Sequence, residues 1–314
     1  MISDLEKIIG KSELATKLYN LCPDIFVFTE ENPDDFTLPI SYDYIHKKIL
    51  IHASKNDILS PLVYFEIFKL LRQATNIHTK DIPKLLDFHP EAVIIYTRIF
   101  HADAIGCAMR IVWELSLKKD FRIYHAIMED FLSDLAIILR GFIAEAKRDF
   151  RTIKNGIAIS HSIEKMFMDC DGYLKSLDKQ AIDVMLHSER FFINPTRNQV
   201  SMQDILTVTD VSGEFNYARN WANTFVNDPV FTDVRDRSSA NFLWFIKFEQ
   251  SFTIEKTEKT LASPDSSTEE SVVLNVSDYQ HLKKMVNESL PESEDNIVYL
   301  PKTGAYISTS SSIW

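Results

Sequence analysis

The residues best placed to do chemistry lie in the stretch PLVYFEIFKLLRQA, residues 61–74. Read as a helix, it puts Phe65 and Lys69 one turn apart on one face, with Glu66 beside them. Filled as His-Glu-x-x-His, the same spacing makes a zinc hydrolase site: imidazoles at i and i+4 grip one ion and the Glu between them activates water. Here Glu66 stands at the general-base position, the one catalytic residue retained, and the two ligand positions hold Phe65 and Lys69. Phenylalanine has no lone pair to offer. A lysine ammonium, with an intrinsic pKa of about 10.4, must lose its proton before it can ligate. What an ammonium three residues beyond a carboxylate can do is pair with it, carrying inside the fold the positive charge an ion would have carried.

Other candidate groups are fewer and more dispersed. His101 begins an apolar helical face with Ala104, Ile105, Ala108 and Val112, the setting of a hydrogen-bonded core histidine. Asp103, one turn from Cys107, reads as a supporting or structural carboxylate. His52 can approach the 61–74 helix from an extended segment before it, whereas His46, at the same strand parity, lies about 20 Å away along that segment, too far to share an ion. Gln73 joins Glu66 and Lys69 as polar residues in an otherwise apolar helix, which is therefore expected to be deeply embedded. His78, His89, His125, His161 and His187 have no metal-ligand spacing, and the acidic cluster Asp169-Cys170-Asp171 lacks the oxygen spacing of a calcium loop and reads as a solvated turn. There is no GxSxG, GxGxxG or GxxxxGK[ST].

The elements that must position these groups are mostly helical. A first helix is expected over 3–20, capped by Ser3 or Asp4; a strand at 24–30, between Pro23 and the turn-like ENPDD; and an extended pair or hairpin at 40–54. Ser60 and Pro61 then start the candidate helix. Beyond Pro90 the pattern is almost wholly helical, over 91–117, 121–150 and 157–192, with loops and short helices punctuated by Pro195 and Gly213. The expected fold class is α+β, mainly helical: a small sheet packed on an active-site-type helix, followed by a helical subdomain. The polar segment EKTEKTLASPDSSTEESV, from 254 on, divides a folded domain at 1–253 from a flexible tail at 254–314.

The order of these segments resembles a bacterial family of metallopeptidase-like proteins with a zincin-like fold, the DUF6782 type. HADAIGCAMRIVWEL, 101–115, is similar to that family's Glu-Ala-Asp-Ala and Trp-Glu-Leu motif, and PLVYFEIFKLLRQ to its HExxHxxQ helix. SIEKMFMDCDGYLKSLDKQAID resembles its later aromatic helix, and GEFNY, with Asn216 and Tyr217, its terminal Asn-Tyr element. The resemblance covers roughly residues 1–225. It implies that Phe65, Lys69 and His101 occupy the family's three metal-ligand positions, and that only the base, Glu66, is unchanged. One histidine does not replace the three protein ligands a catalytic zinc takes, so the implied state is a degenerate metal site with no cofactor and a substrate groove that holds a peptide or protein partner by strand addition. Two alternatives stay open: an active metal-dependent peptidase in which zinc is held by His101, Glu66 and His52 or Asp103, and a helical scaffold or effector that engages partners through its outer helices and tail.

Composition sets the outer bounds. The 314-residue chain is 45% hydrophobic, enough for a real core. Its formal net charge of −11, without a basic block, argues against nucleic-acid partners. The charged, amphipathic N-terminus reads neither as a signal peptide nor as a membrane span. Three dispersed cysteines without CxxC spacing suit a reducing cytoplasm, with export by a specialised secretion system left open.

Overall fold

The computed structural model describes residues 2–29, 40–52, 59–186, 198–211, 213, 215–219, 221–234, 237 and 239–244. Two short helices, α1 (Ile2–Ile9) and α2 (Glu13–Leu21), precede strands β1 (Phe26–Thr29), β2 (Ile40–Asp43) and β3 (Lys48–His52). Then come α3 (Pro61–Thr79), α4 (Pro90–Leu117), α5 (Arg122–Met128), α6 (Asp134–Arg148), α7 (Arg151–Lys154), α8 (Ile157–Asp169) and α9 (Asp171–Leu186). After these follow α10 (Met202–Thr209), a two-residue hairpin of β4 (Asp210–Val211) and β5 (Phe215–Asn216), α11 (Ala222–Asn227) and α12 (Pro229–Thr232). The architecture is α+β and mainly helical.

Strand β3 is central, parallel to β1 and antiparallel to β2, with Phe28 beside Ile51 and Tyr42 beside Ile49. Ile49 and Ile51 are fully buried, as alternation on one covered face requires. Sheet and candidate helix meet there, since both β2 and β3 pack on α3. The β2–β3 hairpin turns at Tyr44–Lys47, where Asp43 Oδ1 accepts from the amides of Ile45 at 2.9 Å and His46 at 3.0 Å. His46 therefore sits in an exposed turn, paired with Asp43, and not in a strand.

Helix α3 begins as its sequence dictates. Ser60 accepts from the Val63 amide, and Pro61 takes the first helical position, where its missing N–H costs nothing. From Tyr64 to Asn76 every residue of α3 is buried, polar ones included. Helix α4 is more central still: α2, α3, α6, α8, α9 and α10 all pack against it. It is long and apolar enough to cross a membrane, yet most of it is buried inside this fold. Glycine permits one of these contacts, because a Cβ on Gly106 would lie 2.7 Å from Ile159 Cγ2 of α8.

Through this apolar helix runs a series of buried charges, each fastening a different part of the chain. Arg98 makes a bidentate pair with Asp178 of α9, both bonds 2.7 Å, and donates to the carbonyls of Phe231 and Asp233. Asp103 ties in α3. Arg110 pairs with Glu114, which accepts from Ser12 Oγ at 2.7 Å and the Leu14 amide at 3.0 Å, capping α2 onto α4.

Periodicity overran three helix boundaries. The segment expected as one helix over 3–20 breaks at Gly10–Lys11, where Ser12 caps α2, and α1 already runs from Ile2, ahead of the expected cap at Ser3 or Asp4. The 121–150 stretch breaks between α5 and α6, where Asp130 accepts from the Leu132 amide and Ser133 caps α6. The 157–192 stretch breaks at Cys170, whose buried thiol turns toward the Asp134 carbonyl while Asp169 and Asp171 stay exposed. In the first two, short side chains bonding to nearby backbone compete with the helix, a local effect that apolar spacing does not register. The tail expected over 254–314 lies outside the described residues, as do 187–192 and Pro195.

Candidate functional site

Lys69 Nζ donates to both oxygens of Glu66, at 3.0 Å to Oε1 and 2.8 Å to Oε2, and α9 brings the Tyr173 hydroxyl close enough to act on its charge. The Phe65 ring centroid is 6.0 Å from Nζ, within reach of a cation–π contact, so positions 65 and 69 face each other across one turn. His101 of α4 closes the group, near enough to feel the Lys69 charge. Glu66, Lys69 and Tyr173 are all less than a tenth exposed.

The electrostatics suit a closed unit. Burial works against the Lys69 ammonium, but Glu66 and Tyr173 outweigh it and hold its pKa above the ordinary lysine value. Burial pushes the Glu66 carboxyl up, against the pull of Lys69. Burial, then the Lys69 charge, drives the His101 imidazole down to about 3, so it is neutral near pH 7. Burial also raises the Tyr173 hydroxyl.

Asp103 belongs to a different construction. Its carboxylate accepts from Arg72 Nε at 2.7 Å, Arg72 Nη2 at 3.1 Å, Asn76 Nδ2 at 3.0 Å and the Tyr217 hydroxyl at 2.8 Å. Arg72 Nη2 also donates to the carbonyls of Val208 at 2.8 Å and Asp210 at 3.0 Å, where Lys80 Nζ joins it. Burial, then the Arg72 charge, pulls the Lys80 pKa down to about 8. Gly156, at φ +81°, is what lets Tyr217 approach, since a Cβ there would lie 2.6 Å from the Phe215 ring and 2.7 Å from Tyr217 Cβ.

The structure thus gathers Phe65, Glu66, Lys69 and His101 into one cluster, and places Gln73, farther along α3, with His101 on the wall of a cavity. Asp103 is committed to Arg72, Asn76 and Tyr217, and His52 to Ser41 Oγ at 3.2 Å. No hydrogen bond to His101 is made among the described residues, so it is a neutral cavity-lining group and not the hydrogen-bonded core histidine expected. Sequence reasoning missed Tyr173 and Arg72. An arginine inside an apolar run was the available signal for the second, because a buried guanidinium demands a carboxylate. Tyr173 gave none, because which face of α9 meets α3 is a tertiary fact.

Zinc, the ion of the metal-dependent alternative, does not fit these residues. Phe65 has no donor atom, the Lys69 nitrogen is protonated and chelated by Glu66, and among the described residues no group of three or more His, Cys, Asp or Glu could hold a metal ion. Comparison with protein-family models, curated proteins and solved structures gave no match.

Proposed function

We propose that this protein has a metallopeptidase-like fold whose metal site has become a buried ion pair, and that it acts by holding a peptide or protein partner and not by cutting one. The observation that carries this reading is the Lys69 ammonium chelated by both Glu66 oxygens, with Phe65, His101 and Tyr173 around it. A general base should be free, hydrogen-bondable to substrate and poised near the working pH. Glu66 is neither free nor exposed, and His101 is neutral far below the range where an acid–base histidine works. Strands β1 and β2, each paired with β3 alone among the described residues, supply the kind of edge onto which an extended segment adds. The alternative of a metal site built from His101, Glu66 and His52 or Asp103 has less support, since Glu66 is chelated by Lys69 and Asp103 is engaged by Arg72, Asn76 and Tyr217, while His52, bonded to Ser41 through Nε2, keeps only Nδ1 unpartnered.

The test is elemental mass spectrometry on untagged protein purified without chelator, comparing wild type with a Phe65→His, Lys69→His variant. The reading expects no stoichiometric zinc in wild type and about one zinc per chain in the variant, where positions 65, 69 and 101 would converge three imidazoles. Stoichiometric zinc in wild type, lost on His101→Ala, would overturn it in favour of the active-peptidase alternative.

A further inference from the structure

Beside the ion pair, α3, α4 and α9 enclose a second feature that the pairing does not use. A cavity of about 40 Å³ is walled by apolar groups, among them Leu85, Phe100 and Ala181, and by five polar side chains: Gln73, Tyr96, Thr97, His101 and Gln180. Tyr96 Oη, Thr97 Oγ1 and Gln180 Oε1 are buried with no hydrogen-bond partner. Gln73 and His101 make no side-chain hydrogen bond among the described residues either. Tyr96 and Thr97 are 4% and 8% exposed, so solvent does not satisfy them. Leaving a buried polar group unsatisfied costs roughly 1–3 kcal/mol, and native folds carry few of them, so three around one cavity is a concentration that calls for a reason.

We infer that this cavity is a binding site for the end of a neutral molecule that carries an N–H or O–H donor beside an acceptor, with a carboxamide as the best match. The donor follows from Gln180 Oε1, which can only accept. The acceptor follows from the Tyr96 and Thr97 hydroxyls, which can donate. Neutrality follows from the walls, which among the described residues hold no Asp, Glu, Lys or Arg, so a bound ion would be desolvated without a counter-charge there. Size follows from the volume: 40 Å³ is room for about three water-sized groups, the amide end of a ligand and not a whole peptide. The inference is independent of how Glu66 and Lys69 are read, because it uses neither residue.

Acetamide and acetone make a matched pair of probes, alike in shape and differing in the NH₂ that alone can donate. Titrated into the full-length, methyl-labelled protein and followed by NMR, acetamide is expected to give saturable shifts at Ala181 and Val184. Its affinity should be about tenfold tighter than that of acetone, the value of one buried hydrogen bond. Ala181→Leu, which fills the space, should abolish saturation; Thr97→Val, nearly isosteric, should weaken acetamide and acetone alike, since both offer the same carbonyl, whereas Gln180→Met, which removes the acceptor for the NH₂, should weaken acetamide and leave acetone unchanged. Equal affinity for the two probes, shifts that never saturate, or acetamide binding unaltered by Thr97→Val would each overturn the inference and leave the cavity to ordered water. Thr97→Val serves by itself should Ala181→Leu fail to fold.

Discussion

Replacing Lys69 by methionine removes the cation and keeps the stem, and the consequence can be worked from the geometry. At 2.8 Å and an effective dielectric constant of about 20, the Lys69–Glu66 attraction is about 6 kcal/mol, most of it offset by the several kcal/mol each ion loses on leaving water. Deleting one partner leaves that desolvation cost on Glu66 without its compensation. The carboxylate escapes by taking up a proton, which costs about 1.36 kcal/mol for every pH unit above its unfolded pKa of about 4.3. Destabilisation of Lys69→Met is therefore capped near 4 kcal/mol at pH 7 and near 1 kcal/mol at pH 5. The sign is fixed by the direction of the shift: burial raises the folded Glu66 pKa, so its contribution is fully present below the unfolded pKa and is lost as pH rises toward the folded one. Urea unfolding followed by circular dichroism at pH 5, 6 and 7 reads this slope directly. A Glu66→Gln, Lys69→Met double variant, with no charge left, should lie within about 2 kcal/mol of wild type and add no such slope. A Lys69→Met protein as stable as wild type at pH 7, with an unchanged pH profile, would refute the ion-pair account.

Three further expectations follow from other contacts. Asp103→Asn leaves the fully buried Arg72 without its carboxylate and should cost about 3–5 kcal/mol in urea unfolding, against about 1.5–3 kcal/mol for Tyr217→Phe, which removes one of four bonds; a loss under about 1 kcal/mol for Asp103→Asn would deny that this network fastens 208–217 to the core. Gly106→Ala should lower stability despite better helix propensity, by about 1–2 kcal/mol, and an added Ile159→Ala should relieve the crowding part of that loss, measurable as non-additivity in a double-mutant cycle. The three cysteines are buried, with burial pushing the thiols of Cys107 and Cys170 up to about 12 and that of Cys22 upward, so a disulfide reagent at pH 8 should label none rapidly in the native protein and all three in urea.

What the sequence made legible was whatever depends on neighbours along the chain. Ser60 and Pro61 announce α3, a long apolar run announces α4, and the β2–β3 hairpin and the Glu66–Lys69 pairing follow from spacing alone. What depends on partners far along the chain was not legible. Nothing near Asp103 shows that Tyr217 will reach it, nor does anything near Arg98 point to Asp178, and nothing shows that Tyr96 and Thr97 of α4 will meet Gln180 of α9 around a cavity without pairing. The helix breaks lie between these cases: their causes, Ser12, Asp130 and Ser133, are local and were visible, but apolar periodicity continues through them and conceals them.

The buried charges of α4 also have a consequence in time. The carboxylate of Asp103 is complete only when Tyr217, 114 residues later, arrives, and Arg72 waits still longer for the Val208 and Asp210 carbonyls, 136 and 138 residues on. At a synthesis rate of roughly 5–20 residues per second, the first of these intervals lasts on the order of 6–23 s. For that period a helix apolar enough to enter a membrane has been synthesised with the Asp103 anchor one bond short, held by Arg72 and Asn76 but not yet by Tyr217. Until then its cover comes from the earlier-made α2 and α3, and the faces that α6, α8, α9 and α10 will bury stay open.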